Sequence, residues 1–226
     1  MAEQNTNQSA APQTEQTLNQ SEALVLKYKN AIIACVCVIV LVVAGYVGFE
    51  NFYKAPKERE ASTAMAKAQE FFANQDYVIA LNGDSVSTKG FLQIADDYSS
   101  TKAGNLANLY AGLCYAHTDQ WENAVKYLEK YDGQSDQMVS PAALGALGNA
   151  YAHMNDLDKA VATLKKAAEK ADNNSLSPTF LIQAAQILES QDKKDEALKL
   201  YKQVKEKYFQ SMQYQTIDEY IERASK

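Results

Sequence analysis

The C-terminal half of the chain repeats itself every 36 to 37 residues, and this repeat limits the possible folds more than any other feature. Ala111–Tyr115 aligns with Leu147–Tyr151 at an offset of 36 residues, and the same offset relates Ala124 to Ala160. A third copy follows at an offset of 37, which relates Ala160 to Ala197. Because a short repeat unit cannot bury its own apolar face, successive units have to stack into a solenoid.

Each repeat unit has the pattern of a helical hairpin. Small residues stand where the first helix must approach the second closely, at Gly112, Gly148 and Ala185. An Asp or Asn lies five positions before each repeated alanine, and we expect it to cap the second helix: Asp119, Asn155 and Asp192. The first helices are predicted to begin with a serine cap followed by proline, at Ser140-Pro141 and Ser177-Pro178.

The region before the repeats is less regular. Lys57–Asn74 is predicted to be a helix, Asn82–Asp84 a turn, and Phe91–Tyr98 a second, short helix. We interpret these elements as a degenerate first pair that carries an insertion. After the repeats, the apolar residues of Ile217–Ala224 fall at helical spacing and predict a helix that covers the last unit.

Residues 31–49 form a run of 19 residues without a charge, rich in Val and Ile. As a helix that rises ~1.5 Å per residue, the run spans about 28 Å, close to the ~30 Å hydrocarbon layer of a bilayer. Tyr28, Tyr46 and Tyr53 lie near its ends, where tyrosine suits the membrane interface. A soluble helix would normally carry polar residues on one face. We therefore expect a transmembrane helix, uncleaved because no small-residue cleavage site follows it.

The sequence leaves the orientation of this helix open. Lys27 and Lys29 precede it and favour a cytoplasmic tail, but Lys54, Lys57 and Arg59 follow it closely. The predicted organisation is a disordered polar tail (1–22), the transmembrane anchor with its flanks (23–54), the degenerate pair (55–102), and about three repeat units with a capping helix (103–226).

The repeat closely resembles the tetratricopeptide repeat (TPR) family. The best copy is Leu147–Tyr151 with Ala160 and Leu164: a large residue, a small residue and Tyr in the first helix, then Ala and a bulky residue in the second. One anchor followed by TPR units, with the segment Tyr98–Ala107 before the first good repeat, resembles the bacterial YfgM-like proteins. That resemblance implies an inner-membrane protein with a periplasmic TPR domain, associated with Sec translocon subunits or periplasmic chaperones.

The TPR resemblance also implies a binding surface, because first helices line a concave groove that accepts an extended or helical peptide. The family's groove positions fall on Leu106, Leu109, Leu113 and His117 in the first unit, Asn149 and His153 in the second, and Ile182, Gln186 and Glu189 in the third. One TPR subset uses basic residues in this groove to hold a C-terminal carboxylate. Those residues are missing from the aligned positions, so carboxylate capture in the groove is not expected.

Composition and motifs argue against reaction chemistry. A net charge of −6 disfavours nucleic-acid binding, which needs a basic face. His117 and His153 lie 36 residues apart, which indicates repeat symmetry, and no Cys, Asp or Glu cluster completes a zinc site. Cys114 is interpreted as a small core residue, because a catalytic thiol needs a base beside it. We expect no catalytic residue, metal, cofactor or small-molecule substrate.

The sequence therefore predicts an all-α TPR superhelical solenoid, preceded by one transmembrane helix and a disordered tail. Its predicted function is to dock a protein partner beside the bacterial inner membrane, in protein secretion or envelope-protein biogenesis. Three alternatives stay open: a cytosol-facing receptor for chaperones or precursor proteins, a structural oligomer, and an enzyme with a perturbed carboxylate beside His117 or His153.

Overall fold

The computed structural model describes residues 13–84 and 88–226, and the chain divides into a first unit that ends at Ala55 and a second unit, Pro56–Lys226. The helices are α1 (Gln13–Phe49), α2 (Ala55–Ala73), α3 (Tyr77–Asn82), α4 (Phe91–Asp97), α5 (Lys102–His117), α6 (Trp121–Leu128), α7 (Val139–His153), α8 (Leu157–Ala171), α9 (Ser177–Ser190), α10 (Lys194–Lys207) and α11 (Ile217–Ala224). In these ranges the only β-type pairing is an isolated bridge between Gly83 and Lys89, so the predicted all-α class is confirmed.

The first unit consists of α1 and a π-helical segment, Glu50–Lys54. Helix α1 begins at Gln13, inside the stretch predicted to be disordered, while residues 1–12 lie outside the described part of the chain. Extending an existing helix is far easier than nucleating one, so a polar stretch beside the apolar run can continue its helix. Residues 13–22 of the predicted polar tail are therefore helical in the described structure.

The second unit is a series of helical hairpins that pack in chain order. Helix α5 pairs with α6, α7 with α8, and α9 with α10, and α11 packs after them. Each apolar core draws on two neighbouring hairpins: Leu109 of α5 shares one core with Leu147 of α7, and Leu164 of α8 shares another with Val204 of α10. Every hairpin thus buries its apolar face against the next one, as a solenoid requires.

Each first helix ends in the same backbone motif. The second residue after the helix is left-handed, with φ of 66° at Gln75, 57° at Asp119, 60° at Asn155 and 60° at Asp192. The next N–H then donates to the carbonyl oxygen five residues back, at 2.9 Å in all four hairpins. This is the Schellman arrangement, which satisfies carbonyl groups at a helix C-terminus.

This motif corrects the predicted role of Asp119, Asn155 and Asp192. They end the first helix and do not cap the second, because Asp and Asn adopt the left-handed region more readily than most residues. The side-chain cap of α8 comes from the following residue, Asp156, whose carboxylate accepts from the Lys159 N–H.

The predicted serine caps are also wrong. Ser140 is buried within α7, and the capping side chain is Asp136, whose Oδ1 accepts from the N–H groups of Met138 and Val139. Asn173 has the equivalent position before α9 and accepts from the N–H groups of Ser175 and Leu176. Each cap lies four residues before the serine, which leaves the serine hydroxyl as a donor: Ser140 to the Gln134 carbonyl and Ser177 to the Ala168 carbonyl.

Candidate partner-binding surface

The first helices carry a row of equivalent residues that are not fully buried, which we call the first-helix face. It consists of the residue that follows each small packing residue: Gln69, Leu113, Asn149 and Gln186. The small residues themselves, among them Ala68 and Gly148, are buried. A side chain one position further round the helix, about 100° away, is carried out of the core.

The carboxamides of this row are free to bind a partner. Gln186 is exposed, Gln69 and Asn149 are half-buried, and none of the three makes a side-chain hydrogen bond to another described residue. A carboxamide both donates and accepts hydrogen bonds. Such a row can therefore pair with the N–H and C=O groups of a polypeptide without requiring a charge on it.

Two of the predicted groove residues, Leu109 and Ile182, are buried and do not contribute to this surface. Leu109 is 6% exposed and Ile182 is 8% exposed, and each belongs to an apolar core. Leu106 and Leu113 are half-buried and pack at the edge of a core. Leu109 and Ile182 are therefore core side chains that offer little surface to a partner, because neighbouring hairpins cover them.

The two histidines stack on rings from the preceding hairpin. His117 lies parallel to Tyr77 with ring centroids 4.3 Å apart, and His153 lies parallel to Trp121 at 3.7 Å. Tyr77 and Trp121 are each the first residue of a second helix, so the two stacks are equivalent in the repeat. Both imidazoles thus join successive hairpins, and the repeat symmetry expected from their spacing has a structural basis.

The Glu189 side chain is bound by a residue of the C-terminal helix α11. Its carboxylate forms an ion pair with Arg223 of α11 and accepts a hydrogen bond from the Tyr201 hydroxyl at 2.6 Å. The hydrogen bond from Arg223 lowers the pKa of Glu189, whereas burial raises the pKa of Tyr201. Glu189 therefore helps to hold the capping helix α11 in place.

Gln69 is a member of the first-helix face that the sequence patterns did not reveal. The spacing from Ala68 to Gly112 is 44 residues, because the segment around the Gly83–Lys89 bridge lengthens the first hairpin. A local signal was nevertheless present: Ala68, Gln75 and Ala80 have the same mutual spacing as Gly148, Asn155 and Ala160.

Cys114 is buried in the core of the first hairpins, and burial raises the pKa of its thiol to about 12. The thiol is therefore protonated at neutral pH and is a poor nucleophile. Among the described residues, no group of three His, Cys, Asp or Glu side chains is placed to hold a metal ion.

The first unit contains a helix that is long and apolar enough to cross a membrane. Within residues 27–73, an 18-residue window has a mean hydropathy of 2.9 and none of it is buried. Leu41, near the middle of the charge-free run, is 72% exposed. This exposure distinguishes the segment from the buried core helix of a soluble protein.

A comparison of the sequence with known protein families identifies the family of this chain. Residues 43–217 match the family described as T7SS, ESX-1 secretion system protein EccA1, N-terminal domain. The chain belongs to this EccA1 N-terminal domain family. No curated protein matches the chain.

Solved structures support the repeat fold of this EccA1 family member. A crystal structure of nearly identical TPR-like repeats from a Podosopora anserina putative kinesin light chain has a TM-score of 0.57 and 15% identity, and the match covers 74% of this chain and 85% of that one. A second crystal structure of these repeats has a TM-score of 0.56 at 15% identity, covering 74% and 86%. The predicted TPR-like solenoid is thus confirmed at the level of the fold.

Proposed function

We propose that this protein is a membrane-anchored scaffold that docks protein partners on its first-helix face during protein secretion or envelope-protein biogenesis. The observation that carries the proposal is the row of unpaired carboxamides at Gln69, Asn149 and Gln186, which lie in three of the four hairpins. Stacked helical repeats present such rows along an extended binding surface. The family's secretion-system description supports the setting.

Anchoring would come from the apolar run 31–49, which the exposed helix α1 presents. Confinement to a membrane raises the effective concentration of the docking surface near a membrane machine. Following the YfgM-like resemblance, we assign the repeat domain to the periplasm and its partners to Sec translocon subunits or periplasmic chaperones.

Crosslinking in cells tests the docking surface. A photoreactive amino acid is introduced at Asn149 or Gln186 of the full chain, and crosslinked proteins are identified by mass spectrometry. The matched control is Ala162, which is exposed on second helix α8. We expect the same secretion or chaperone protein from both face positions and not from Ala162. Equal recovery from all three positions would contradict the proposal.

A cytosol-facing receptor is the second candidate, favoured by Lys54, Lys57 and Arg59 after the apolar run. Alkaline phosphatase and green fluorescent protein are fused separately to the C-terminus, because the first is active only outside the cytoplasm and the second fluoresces only inside it. Phosphatase activity supports the periplasmic assignment, and fluorescence alone supports the cytosolic receptor.

A further inference from the structure

Helix α6 is shorter than the second helices of the two hairpins that follow it, and a pocket opens beside its end. It has 8 residues, whereas α8 has 15 and α10 has 14. At 3.6 residues per turn, α6 lacks about two turns. An irregular connection, residues 131–138, follows instead, and the pocket next to it has a volume of about 550 Å³.

Apolar and polar side chains line this pocket in similar measure, and its charges come from two different elements. Leu128, Leu144 and Leu147 provide apolar surface. Lys166 and Lys170 come from α8, whereas Glu129 and Asp132 come from the end of α6 and the connection. No residue of the first-helix face lines the pocket, so it is a separate site.

The charges around the pocket do not neutralise one another. Among the described residues, Lys166 and Lys170 form no ion pair, and the Asp132 carboxylate has no partner. The Glu129 carboxylate accepts a hydrogen bond from the Tyr151 hydroxyl. Two free ammonium groups and a free carboxylate therefore remain available to a ligand.

The walls of the pocket are held in place before any ligand binds. Asn105 makes two hydrogen bonds to the backbone of Asp132, both 2.8 Å long, and the Ser140 hydroxyl donates to the Gln134 carbonyl. Asp136 caps α7, and its pKa is lowered to about 2 by the Ser140 hydroxyl and neighbouring backbone N–H groups. A preformed pocket loses less conformational entropy on binding.

We propose that this pocket binds the free C-terminus of a partner polypeptide that ends in an apolar residue. The terminal carboxylate contacts Lys166 and Lys170, the last side chain packs on Leu144 and Leu147, and a backbone N–H donates to Asp132. This inference rests on the proposed docking function but uses a different surface.

A chain terminus satisfies the pocket better than other peptide segments do. It offers a carboxylate, an apolar side chain and a backbone N–H within one residue. These groups match the charged and apolar side chains that line the pocket of about 550 Å³. Pockets of about 300–1,000 Å³ suit ligands of this size. In an internal segment, by contrast, the carboxylate and the apolar side chain belong to two different residues and lie further apart.

Fluorescence anisotropy of the full chain in detergent micelles tests the proposal. The probe is a fluorescein-labelled hexapeptide of Gly and Ser that ends in Leu with a free carboxylate. Its comparators are the same peptide with an amidated end and an amidated peptide ending in Glu-Leu. We test the double variant Lys166→Gln and Lys170→Gln against the control Lys165→Gln, an exposed neighbour that does not line the pocket.

We expect the free-acid peptide to bind saturably. Its affinity should fall about tenfold when the peptide is amidated or when the double variant is used, because either change removes a partly solvated charged contact. Binding should also weaken with salt and be unchanged in Lys165→Gln. Equal binding of either amidated peptide, an equal loss in Lys165→Gln, or no saturable binding would overturn the inference. Circular dichroism checks that the variants are folded.

The two proposals can fail separately. The double variant is also assayed for crosslinking from Asn149 and Gln186 in cells. Crosslinks that persist while peptide binding is absent would reject the C-terminus pocket alone. Absence of crosslinks in the unmodified protein would reject the proposed docking function.

Discussion

Single glycines set how closely the two helices of a hairpin approach. A Cβ on Gly148 would lie 2.7 Å from Cγ of Leu164 and 3.3 Å from the Ala160 carbonyl oxygen. At the equivalent position, a Cβ on Gly112 would lie 2.6 Å from Cγ of Leu128. These glycines are required by packing against the second helix, since both lie inside regular helices.

We expect Gly148→Leu to lower the free energy of unfolding by about 1–3 kcal/mol, because the added atoms overpack the hairpin. Urea unfolding of the full chain in detergent measures the change. The control Ala142→Leu places a leucine on the exposed side of the same helix and should have little effect. Equal stability of the two variants would contradict the packing assigned to Gly148.

At the scale of helices, the left-handed residue that ends each first helix determines where the hairpin turns. Asn155, with φ of 60°, stands between α7 and α8, and the Asp156 N–H then closes the turn on the Tyr151 carbonyl. The turn depends on backbone conformation and does not require a particular side chain.

Asn155→Gly should therefore keep or slightly raise stability, because glycine has no Cβ to strain a left-handed residue. Asn155→Val should lower the free energy of unfolding by about 1–2 kcal/mol. The difference is measured by urea unfolding of both variants. A valine variant as stable as the glycine variant would show that the helix ends in another way.

The cap at Asp136 should make the start of α7 sensitive to acid. Its pKa of about 2 is below the ordinary 3.8, so its contribution to stability is complete above the ordinary value and is lost as pH falls towards 2. At neutral pH, Asp136→Ala should cost about 0.5–2 kcal/mol. That cost should shrink as pH falls from about 4 to 2.

Urea unfolding at a series of pH values measures this loss. The control Asp136→Asn keeps a side-chain oxygen that accepts hydrogen bonds but does not titrate, so it should retain most of the stability of the cap. A cost for Asp136→Ala that is constant from neutral pH to pH 2 would exclude ionisation of Asp136 as the cause.

Helices were easier to predict from the sequence than their ends. Apolar spacing placed the short helix at Phe91–Tyr98, and the structure has α4 at Phe91–Asp97. The caps were misjudged because Ser-Pro and Asp or Asn are compatible with several positions at a helix end. Only backbone conformation shows that Asp119 ends α5 and that Asp136 caps α7.

The exposure of the groove positions could not be predicted from the sequence, because burial depends on neighbouring hairpins. Leu109 and Asn149 both stand at family groove positions, but the next hairpin covers Leu109. Glu189 was expected to face a partner, and a residue 34 positions later in the sequence, Arg223, occupies it. The local spacing of residues in the sequence does not reveal such long-range contacts.

At the scale of the whole molecule, we predict that the exposed apolar run 31–49 holds the protein at a membrane. The double variant Val38→Arg and Leu41→Arg places two charges near its centre, at a cost of about 5–7 kcal/mol for insertion. We expect this variant to move from the membrane pellet to the soluble fraction after alkaline carbonate extraction.

The matched control is Thr63→Arg with Ala66→Arg, two exposed positions of α2 with the same spacing. This control should stay in the pellet. If both double variants are retained equally, membrane attachment does not depend on residues 31–49.

The left-handed residues that end the first helices also affect how much the sequence can vary while the fold is retained. Gln75, Asp119, Asn155 and Asp192 perform the same conformational task with three kinds of side chain. Substitutions can therefore accumulate at most surface positions while the bend survives, provided that the small residue seven places earlier is kept. The same repeat fold at 15% identity shows how few side chains this architecture prescribes.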